Sequence, residues 1–353
     1  MRLLACLAML LLALEARAEE VLRVLNWKNY IEPQVLADFQ KQTGIRVEYQ
    51  TMTAAEELDA ALGREQAFDI VVPSHFQLSR LIHNGQLAPL DTGRLSHYAS
   101  VDVGLLAMLA GIDSANRYAV PYLWGSVGLV VNPKLAEASY GGPLPNSWGL
   151  LFDERQAARL AGCGIGLLDA PEETASLWFN YRGRSLSSYG ARQVERNLQP
   201  LLGIARMARH LDNDTYIDAL ADGRLCVAMA WVGHALTASA RNPALSYRIP
   251  DEGAMVFIDS LAIPANAEHP DLAYRFIDYL LEPRNALADA RASQFYSPLA
   301  ADTPELAELA KERPMQVLKS DERRRLYVLE RLNQEQKTAL DAFWAKLKAS
   351  RSP

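Results

Sequence analysis

Aromatic and acidic side chains recur where the predicted strands of this chain end. They form small groups along the sequence, namely Trp27 and Tyr30; Ser74 and Phe76; Glu173; Trp231 and His234; Phe257 and Asp259; and Tyr296. Aromatic faces hold methylene chains by apolar contact and ammonium groups by cation–π attraction, which contributes about 2 kcal/mol when the ammonium is desolvated. Carboxylates pair with an ammonium through charge-assisted hydrogen bonds. The residue types therefore predict a binding site for a small cationic amine.

An enzyme would need a nucleophile beside a base, and these groups contain no such pair. The enzyme hypothesis rests on a cysteine nucleophile, and Cys163 and Cys226 are the cysteines that follow the N-terminal segment. Both fall at predicted strands, whereas an activated cysteine usually lies at a helix start next to a base. The His and Cys residues also lack the spacing of a metal site. We therefore expect neither catalysis nor a metal or other cofactor.

The N-terminal segment is typical of a cleavable export signal. A short basic start precedes an apolar run over residues 3–14, and Ala16 and Ala18 provide small side chains before Glu19. The apolar run has about 12 residues, whereas a helix that spans a bilayer needs about 20. We expect residues 1–18 to be a signal peptide and the mature protein to lie in the periplasm.

Two cysteines remain after removal of this segment. In an oxidising compartment Cys163 and Cys226 either pair as a disulfide, which the compartment favours, or stay as two buried thiols. A disulfide would close a loop of about 60 residues and, on the chain-entropy model, would contribute about 4 kcal/mol to stability.

Length and charge limit the architecture and the partners. Removal of residues 1–18 would leave about 335 of the 353 residues. That is more than one hydrophobic core usually serves, so two lobes are expected. The net charge of −6 makes the chain a poor candidate for sequence-independent binding of nucleic acid. We expect a monomer without a nucleic-acid partner.

The first third of the chain alternates predicted strands and helices. Strands are predicted at 21–25, 45–49 and 68–72, with one helix from Pro33 and another over 54–63. Right-handed crossovers between such strands give a parallel sheet with helices on both faces. Ligands bind such sheets beyond the strand ends where the strand order reverses. With the order 2-1-3, Trp27 and Ser74 would flank that crevice.

Further elements are predicted beyond Pro121. The strands are 127–131, 164–168, 225–230 and 257–263, and the helices are 270–281, 304–311 and 322–347. Another helix is expected after Asp169, with Asp169 as its N-cap and Glu172 as the reciprocal partner of a capping box.

Several short runs occur in an order and spacing that resemble a known family. They are Asn26-Trp27, Tyr30-Ile31, Phe68 to Ser74, Val120 to Gly125, Ser147-Trp148, Leu168 to Glu173, Cys226 to Trp231, and Glu252 to Met255 leading to Asp259. Together they extend over nearly the whole chain after the signal segment. On these runs the sequence resembles the putrescine- and spermidine-binding proteins of bacterial ABC importers.

The resemblance implies a fold and a division into lobes. It implies an α/β protein with the type II periplasmic-binding-protein fold, in which each lobe is a mainly parallel sheet flanked by helices. The ligand would lie in the cleft between the lobes. Residues 19–124 and 254–293 would form lobe 1, and residues 125–253 and 294–353 would form lobe 2. The family also implies that Cys163 and Cys226 pair.

The resemblance implies roles for the site residues and a partner. The aromatic box would consist of Trp27, Trp231, Phe257 and Tyr296, with Tyr30 beside Trp27. Ser74 would hydrogen-bond the ligand, and Asp259 and Glu173 would hold an ammonium. The lobes would close on the cargo and deliver it to the membrane permease of an ABC importer.

Departures from the family's pattern bear on the ligand. Putrescine binders of the family usually carry an acid at the positions of Asn29 and His234, and Lys28 replaces a small residue. A buried ammonium without a counter-charge is costly. One hypothesis is a polyamine whose second amine meets neutral acceptors and water. The other is an asymmetric amine, amino-acid-like or agmatine-like, with a neutral or anionic end near these three residues.

The sequence also leaves open how the bound ligand is used. A sensory adaptor would bind the same amine but would dock onto a receptor instead of a permease. Measuring amine uptake after deletion of the gene separates the two roles, because loss of an adaptor leaves import intact.

Overall fold

The structure, a computed structural model, describes residues 20–53, 55–63, 67–328 and 332–351. It confirms the predicted α/β fold, with a long mixed sheet flanked by helices. The predicted signal peptide lies outside the described residues. Within the described part of the chain, none of the helices has the length and hydropathy needed to cross a bilayer.

The N-terminal elements alternate strand and helix as predicted. Pro33 stands at the start of the first helix, and Gly44 ends that helix with a φ of 72°, a left-handed conformation that glycine adopts without a Cβ clash. In chain order the elements are β1 Val21–Trp27, α1 Pro33–Thr43, β2 Arg46–Met52, α2 Ala55–Leu62, β3 Ile70–Val71, α3 His75–His83, α4 Val103–Ala110 and β4 Ala119–Val131, with 3₁₀ turns at Thr92–Arg94, Tyr98–Ser100 and Ser114–Asn116.

The later elements build the second half of the sheet and then return to the first. Up to the last strand of that half they are α5 Pro133–Tyr140, α6 Gly149–Phe152, α7 Glu154–Leu160, β5 Ile165–Leu167, α8 Pro171–Tyr181, α9 Ala191–Leu198, α10 Leu201–Met207, β6 His210–Leu211, α11 Thr215–Ala221, β7 Val227–Trp231, α12 Val232–Arg241 and β8 Ser246–Arg248. A 3₁₀ turn at Leu186–Ser188 lies between α8 and α9. The returning part contains β9 Ala254–Ala262, α13 Pro270–Leu281, α14 Pro283–Ser293, α15 Pro304–Glu312, α16 Ser320–Arg323, β10 Leu326–Val328 and α17 Gln334–Ala349, with a 3₁₀ turn at Pro314–Gln316.

The strand order agrees with the order predicted for the first three strands. The strands run in the order β2-β1-β3-β9-β4-β7-β5-β6, with β10 beside β9 and β8 beside β4. Strand β1 pairs in parallel with both β2 and β3, which confirms the predicted order 2-1-3. Trp27 ends β1, and Ser74 directly precedes α3, so both lie at the same edge of the sheet.

Strands β4 and β9 connect the two halves of the sheet. Residues 119–126 of β4 pair antiparallel with β9, and residues 127–131 pair with β7 and β8. The sequence predicted a separate strand from Val127, but the structure has one continuous buried strand from Ala119. A proline within a strand favours a break. Strand β4 accommodates Pro121 because its pairing with β9 is irregular between Pro121 and Leu123.

Hydrophobic cores lie under both halves of the sheet. In the first half, Val24 and Leu25 of β1 face opposite sides and enter two different clusters, as alternation along a strand requires. Phe39 and Phe276 pack at 4.7 Å in one of them. In the second half, Trp148 is fully buried in a separate cluster. The separate cores agree with two lobes joined by β4 and β9.

The C-terminal segment after α14 contacts both halves. Leu299 forms a β-bridge with Val101, and Leu309 packs against Leu287 of α14. Both partners belong to the first half. Helix α17 instead packs against α8, α9 and α10 of the second half. The exact lobe boundaries stay a prediction, and these contacts favour assigning residues 294–318 to lobe 1.

Two sequence predictions about this region are wrong. The helix predicted over 322–347 is replaced by α16, β10 and α17, because β10 adds a short parallel strand to β9. The predicted cap of α8 is also absent: its N-cap is Ala170, without a side-chain hydrogen bond. The Asp169 carboxylate instead accepts from the Trp344 indole at 2.6 Å and from the Lys348 ammonium at 2.6 Å. A tertiary contact with α17 therefore takes the place of a local cap.

A disulfide joins Cys163 to Cys226, as predicted, with the Cα atoms 5.6 Å apart. It ties the segment before β5 to the segment before β7. We expect the double variant Cys163→Ala/Cys226→Ala to lose about 4 kcal/mol of unfolding free energy at most, because the crosslink restricts the unfolded chain. Urea unfolding measures this loss. Reductant should destabilise the wild type and leave the variant unchanged, and a variant as stable as the wild type would refute the expectation.

Candidate functional site

A buried carboxylate, Asp259 of β9, lies at the centre of the candidate site. It is 2% exposed. The Tyr30 hydroxyl donates to its Oδ2 at 2.6 Å, and the Ser74 hydroxyl donates to its Oδ1. Ser74 also forms a backbone bridge with Asp259. Residues that follow β1 and β3 therefore converge on β9 at the sheet edge.

The charge of Asp259 has no partner of opposite sign in the described part of the chain. Burial raises the pKa of Asp259 to about 6, and the hydrogen bonds from Ser74 and Tyr30 oppose that rise. Both donors are neutral hydroxyls. An ionised Asp259 is consequently stabilised less than a paired carboxylate would be, and a bound cation would supply the missing charge.

Aromatic rings surround this carboxylate. The Tyr30 ring lies 6.4 Å from the Trp27 ring and 5.3 Å from the Phe295 ring. Phe295 meets Phe257 edge to face at 5.4 Å. The indole N–H of Trp27 is buried and has no hydrogen-bond partner among the described residues. These rings form an apolar wall beside Asp259, and the Trp27 indole N–H is the polar group in it that has no partner among the described residues.

Phe295 was missed by the sequence analysis, which selected its neighbour Tyr296. Tyr296 is buried, packs on the Trp124 ring at 4.7 Å and lies 3.3 Å from the Ser126 hydroxyl. Phe295 instead contacts Tyr30, which donates to Asp259. The adjacent aromatic residues gave no signal in the sequence for which of the two rings meets Tyr30. A ligand contact by Tyr296 stays a prediction.

A second group lies at the junction of β7 and α12. The Trp231 and His234 rings pack edge to face at 5.3 Å, and the Tyr216 hydroxyl lies 2.9 Å from Nδ1 of His234. Burial lowers the pKa of His234 below its usual value, so the imidazole is neutral at pH 7. A Cβ added at Gly233 would lie 2.7 Å from the Phe295 ring. The absence of that Cβ lets Phe295 touch α12 and connects the two groups.

The other predicted site residues make no described contact with the Asp259 group or the His234 group. Glu173, in the first turn of α8, is half-buried, and burial raises its pKa to about 7. Among the described residues no cation forms an ion pair with it. Asn29 is exposed with a φ of 64°, a left-handed conformation that asparagine adopts readily, and Lys28 is exposed beside it. Their part in ligand binding stays a prediction.

This arrangement is suited to binding and offers little to catalysis. It combines a buried acid, neutral hydroxyls, aromatic rings and a neutral imidazole. The described residues contain no group of three or more His, Cys, Asp or Glu residues placed to hold a metal ion. The chemistry available is recognition of a positive charge on an apolar chain.

Comparisons with known proteins agree with this interpretation. A family model described as "Bacterial extracellular solute-binding protein" matches residues 34–316. The putrescine-binding periplasmic protein PotF of Escherichia coli is 34% identical over 346 residues, covering 95% of this chain and 93% of the relative. A putrescine/agmatine-binding protein of Pseudomonas aeruginosa is 31% identical over 340 residues, covering 94% of this chain and 92% of that relative.

Solved structures show the same fold. The spermidine/putrescine ABC transporter substrate-binding protein PotD of Streptococcus pneumoniae superimposes with a TM-score of 0.79 at 24% identity, covering 95% of this chain and all of that chain. The likeness supports the predicted periplasmic-binding-protein fold. The relatives are named as binding proteins, which confirms the prediction of a binding protein and not an enzyme. This chain belongs to the family of bacterial extracellular solute-binding proteins.

Proposed function

We propose that this protein captures a small cationic amine of the polyamine type between its two lobes and delivers it to the permease of an ABC importer. The observation that carries the proposal is Asp259, a buried carboxylate whose side-chain partners among the described residues are the neutral hydroxyls of Tyr30 and Ser74. A ligand ammonium would complete this group by a charge-assisted hydrogen bond. The relatives described above are a putrescine-binding and a putrescine/agmatine-binding protein, which supports the same ligand chemistry.

The proposed contacts follow from the positions of the side chains. Aromatic residues would enclose the methylene chain of the ligand, and Glu173 would add negative charge, since its carboxylate has no cation of its own among the described residues. Neutral polar groups would meet the rest of the ligand. The proposed set is Trp27, Asn29, Tyr30, Ser74, Glu173, Trp231, His234, Phe257, Asp259 and Tyr296, to which the structure adds Phe295.

The proposed route in the cell begins with export. Residues 1–18 would be removed as a signal peptide, and the mature chain would act as a monomer in the periplasm. The relatives from Escherichia coli are periplasmic proteins, and the family is extracellular. Closure of the lobes about β4 and β9 would trap the ligand before it reaches the permease.

A thermal-shift screen tests the proposal directly. Purified protein freed of ligand would be heated with putrescine, cadaverine, spermidine, agmatine, 4-aminobutyrate or lysine. A ligand at about 100 times its dissociation constant stabilises the folded state by about 2.7 kcal/mol, so the midpoint should rise for at least one amine. Butane-1,4-diol, which has the length of putrescine without its charges, should give no shift. No shift with any amine would refute the proposed function.

The Phe257 ring gives a second test of the site. A Cβ at Gly125 would lie 2.3 Å from Cζ of Phe257, so Gly125→Ala forces that ring to move. We expect amine affinity to fall by about 30-fold, which corresponds to the roughly 2 kcal/mol of one desolvated cation–π contact. Gly162→Ala is the matched control, because Gly162 is exposed with nothing within 4 Å of the added Cβ. Equal affinities of the two variants in calorimetric titrations would remove Phe257 from the site.

A further inference from the structure

The proton on His234 is placed by its neighbour Tyr216. The Tyr216 side chain is 1% exposed, and its hydroxyl lies 2.9 Å from Nδ1 of His234. A buried phenol has one proton and must direct it at an acceptor. Within the described contacts that acceptor is Nδ1, so the Tyr216 O–H donates to His234.

This hydrogen bond sets the tautomer of the imidazole. A neutral ring that accepts at Nδ1 carries its proton on Nε2. No described residue hydrogen-bonds Nε2. The carboxylate of Asp214 attracts positive charge on the imidazole, but Asp214 is exposed, so solvent screens this attraction. The ring thus offers a fixed, uncharged N–H donor to a neighbouring molecule.

The start of α12 adds a positive potential at the same place. His234 is the third residue of this ten-residue helix, whose first turn has no acidic side chain and whose N-cap Trp231 makes no side-chain hydrogen bond. The backbone N–H groups at a helix start carry partial positive charge and attract oxygen acceptors. An ammonium at this point would meet N–H donors and no carboxylate from α12.

The Phe295 ring links the His234 group to the Asp259 group. Phe295 contacts the Tyr30 ring at 5.3 Å, and Tyr30 donates to Asp259. The same Phe295 ring lies against Gly233, the residue before His234. Both polar groups therefore neighbour one aromatic ring, and a ligand with a polar group at each end of a methylene chain would contact both across that ring.

We propose that His234, positioned by Tyr216, selects an amine whose second end carries a hydrogen-bond-accepting oxygen. The ligand class is a short chain with an ammonium at Asp259 and a carboxylate or amide oxygen at Nε2–H of His234. This inference rests on the proposed function, because it concerns the far end of the amine in the same site.

Calorimetric titrations of the purified protein at pH 8 test this selection. The probes are putrescine, N-acetylputrescine and 4-aminobutyrate, which share a four-carbon chain and an ammonium. An unpaired donor beside a second ammonium is costly, so at least one oxygen-ended probe should bind about tenfold more tightly than putrescine. Tighter binding of 4-aminobutyrate identifies an anionic acceptor, and tighter binding of N-acetylputrescine identifies a neutral one.

Two variants test the separate roles of His234 and Tyr216. His234→Asp replaces the donor by a carboxylate and should shift the affinity ratio toward putrescine by about 100-fold. Tyr216→Phe keeps the ring but frees the tautomer, and it should reduce the preference for the oxygen-ended probe by about fivefold to tenfold. The affinity ratio would not change if Tyr216 only supported the fold. Tyr140→Phe is the control, because its hydroxyl bonds Gln156 and the ratio should stay as in the wild type.

The outcomes separate this inference from the proposed function. Tightest binding of putrescine by the wild type, or an unchanged ratio in His234→Asp, would overturn the selection and leave amine binding intact. Failure of all three probes and of the wider amine panel would overturn both.

Discussion

The variant Asp259→Asn is expected to bind each amine of the panel at least about 100-fold more weakly than the wild type at pH 8. Truncating one partner of a buried charged pair usually costs about 3–5 kcal/mol, because the other charge stays buried and unpaired. Asparagine keeps the shape of the side chain and one acceptor oxygen, so the loss of affinity measures the contribution of the negative charge. Calorimetric titration measures the dissociation constants.

The free protein should tolerate this substitution. The pKa of Asp259 is raised in the folded state to about 6 from an ordinary value of 3.8. Ionisation therefore opposes folding, and this effect develops as the pH rises from about 4 to 6. A neutral side chain removes the effect, so the unfolding midpoint of the ligand-free variant at pH 8 should equal or exceed that of the wild type.

Asp271→Asn serves as the matched control. Asp271 lies in the first turn of α13, and its 84% exposed side chain pairs with Arg94. This variant should bind amines as the wild type does. Unchanged affinity in Asp259→Asn would place the ammonium elsewhere and contradict the proposed site.

Amine affinity should also fall as the pH is lowered from 8 to 5. The ligand ammonium stays charged in this range, whereas Asp259 has a pKa of about 6 and Glu173 a pKa of about 7 in the free protein, both raised by burial. Protons then compete with the ligand for the carboxylates. The dissociation constant should rise about tenfold at pH 5 if Asp259 alone must ionise, and about 1,000-fold if Glu173 must ionise as well.

Glu173→Gln separates the two contributions. If Glu173 contacts the ammonium, this variant should lose the step near pH 7 and keep the step near pH 6. If Glu173 stands outside the site, its profile will match the wild type. A dissociation constant that is flat from pH 8 to 5 in the wild type would contradict burial of a carboxylate–ammonium pair.

Local sequence patterns are sufficient to predict the sheet edge that forms the candidate site. The short units from β1 to β3 have strong strand and helix signals, which place Trp27 and Ser74 at one edge of the sheet. The convergence of Tyr30 and Ser74 on Asp259 follows once β9 returns to β3. That return was indicated by the family resemblance and not by local periodicity.

Contacts between distant elements were beyond the reach of the sequence patterns. Asp169 has the local appearance of a helix cap but pairs with α17. The sequence pattern indicates His234 as a site residue but not that its tautomer depends on Tyr216, 18 positions earlier. The choice of Tyr296 over Phe295 depended on which of the two rings meets Tyr30, and the structure shows that Phe295 does while Tyr296 packs on Trp124. Each case was decided by tertiary packing, which propensity and spacing do not encode.

Proton release on binding is the most direct measurement of the central claim, that an ammonium pairs with Asp259. Calorimetric titration of the tightest amine at pH 6, in two buffers of different ionisation enthalpy, gives the number of protons released. With a pKa of about 6, Asp259 should release about half a proton per ligand, and Glu173 would add up to about 0.9 if it also pairs. The release should vanish near pH 8.5. Amine binding without proton release at pH 6 would contradict the account.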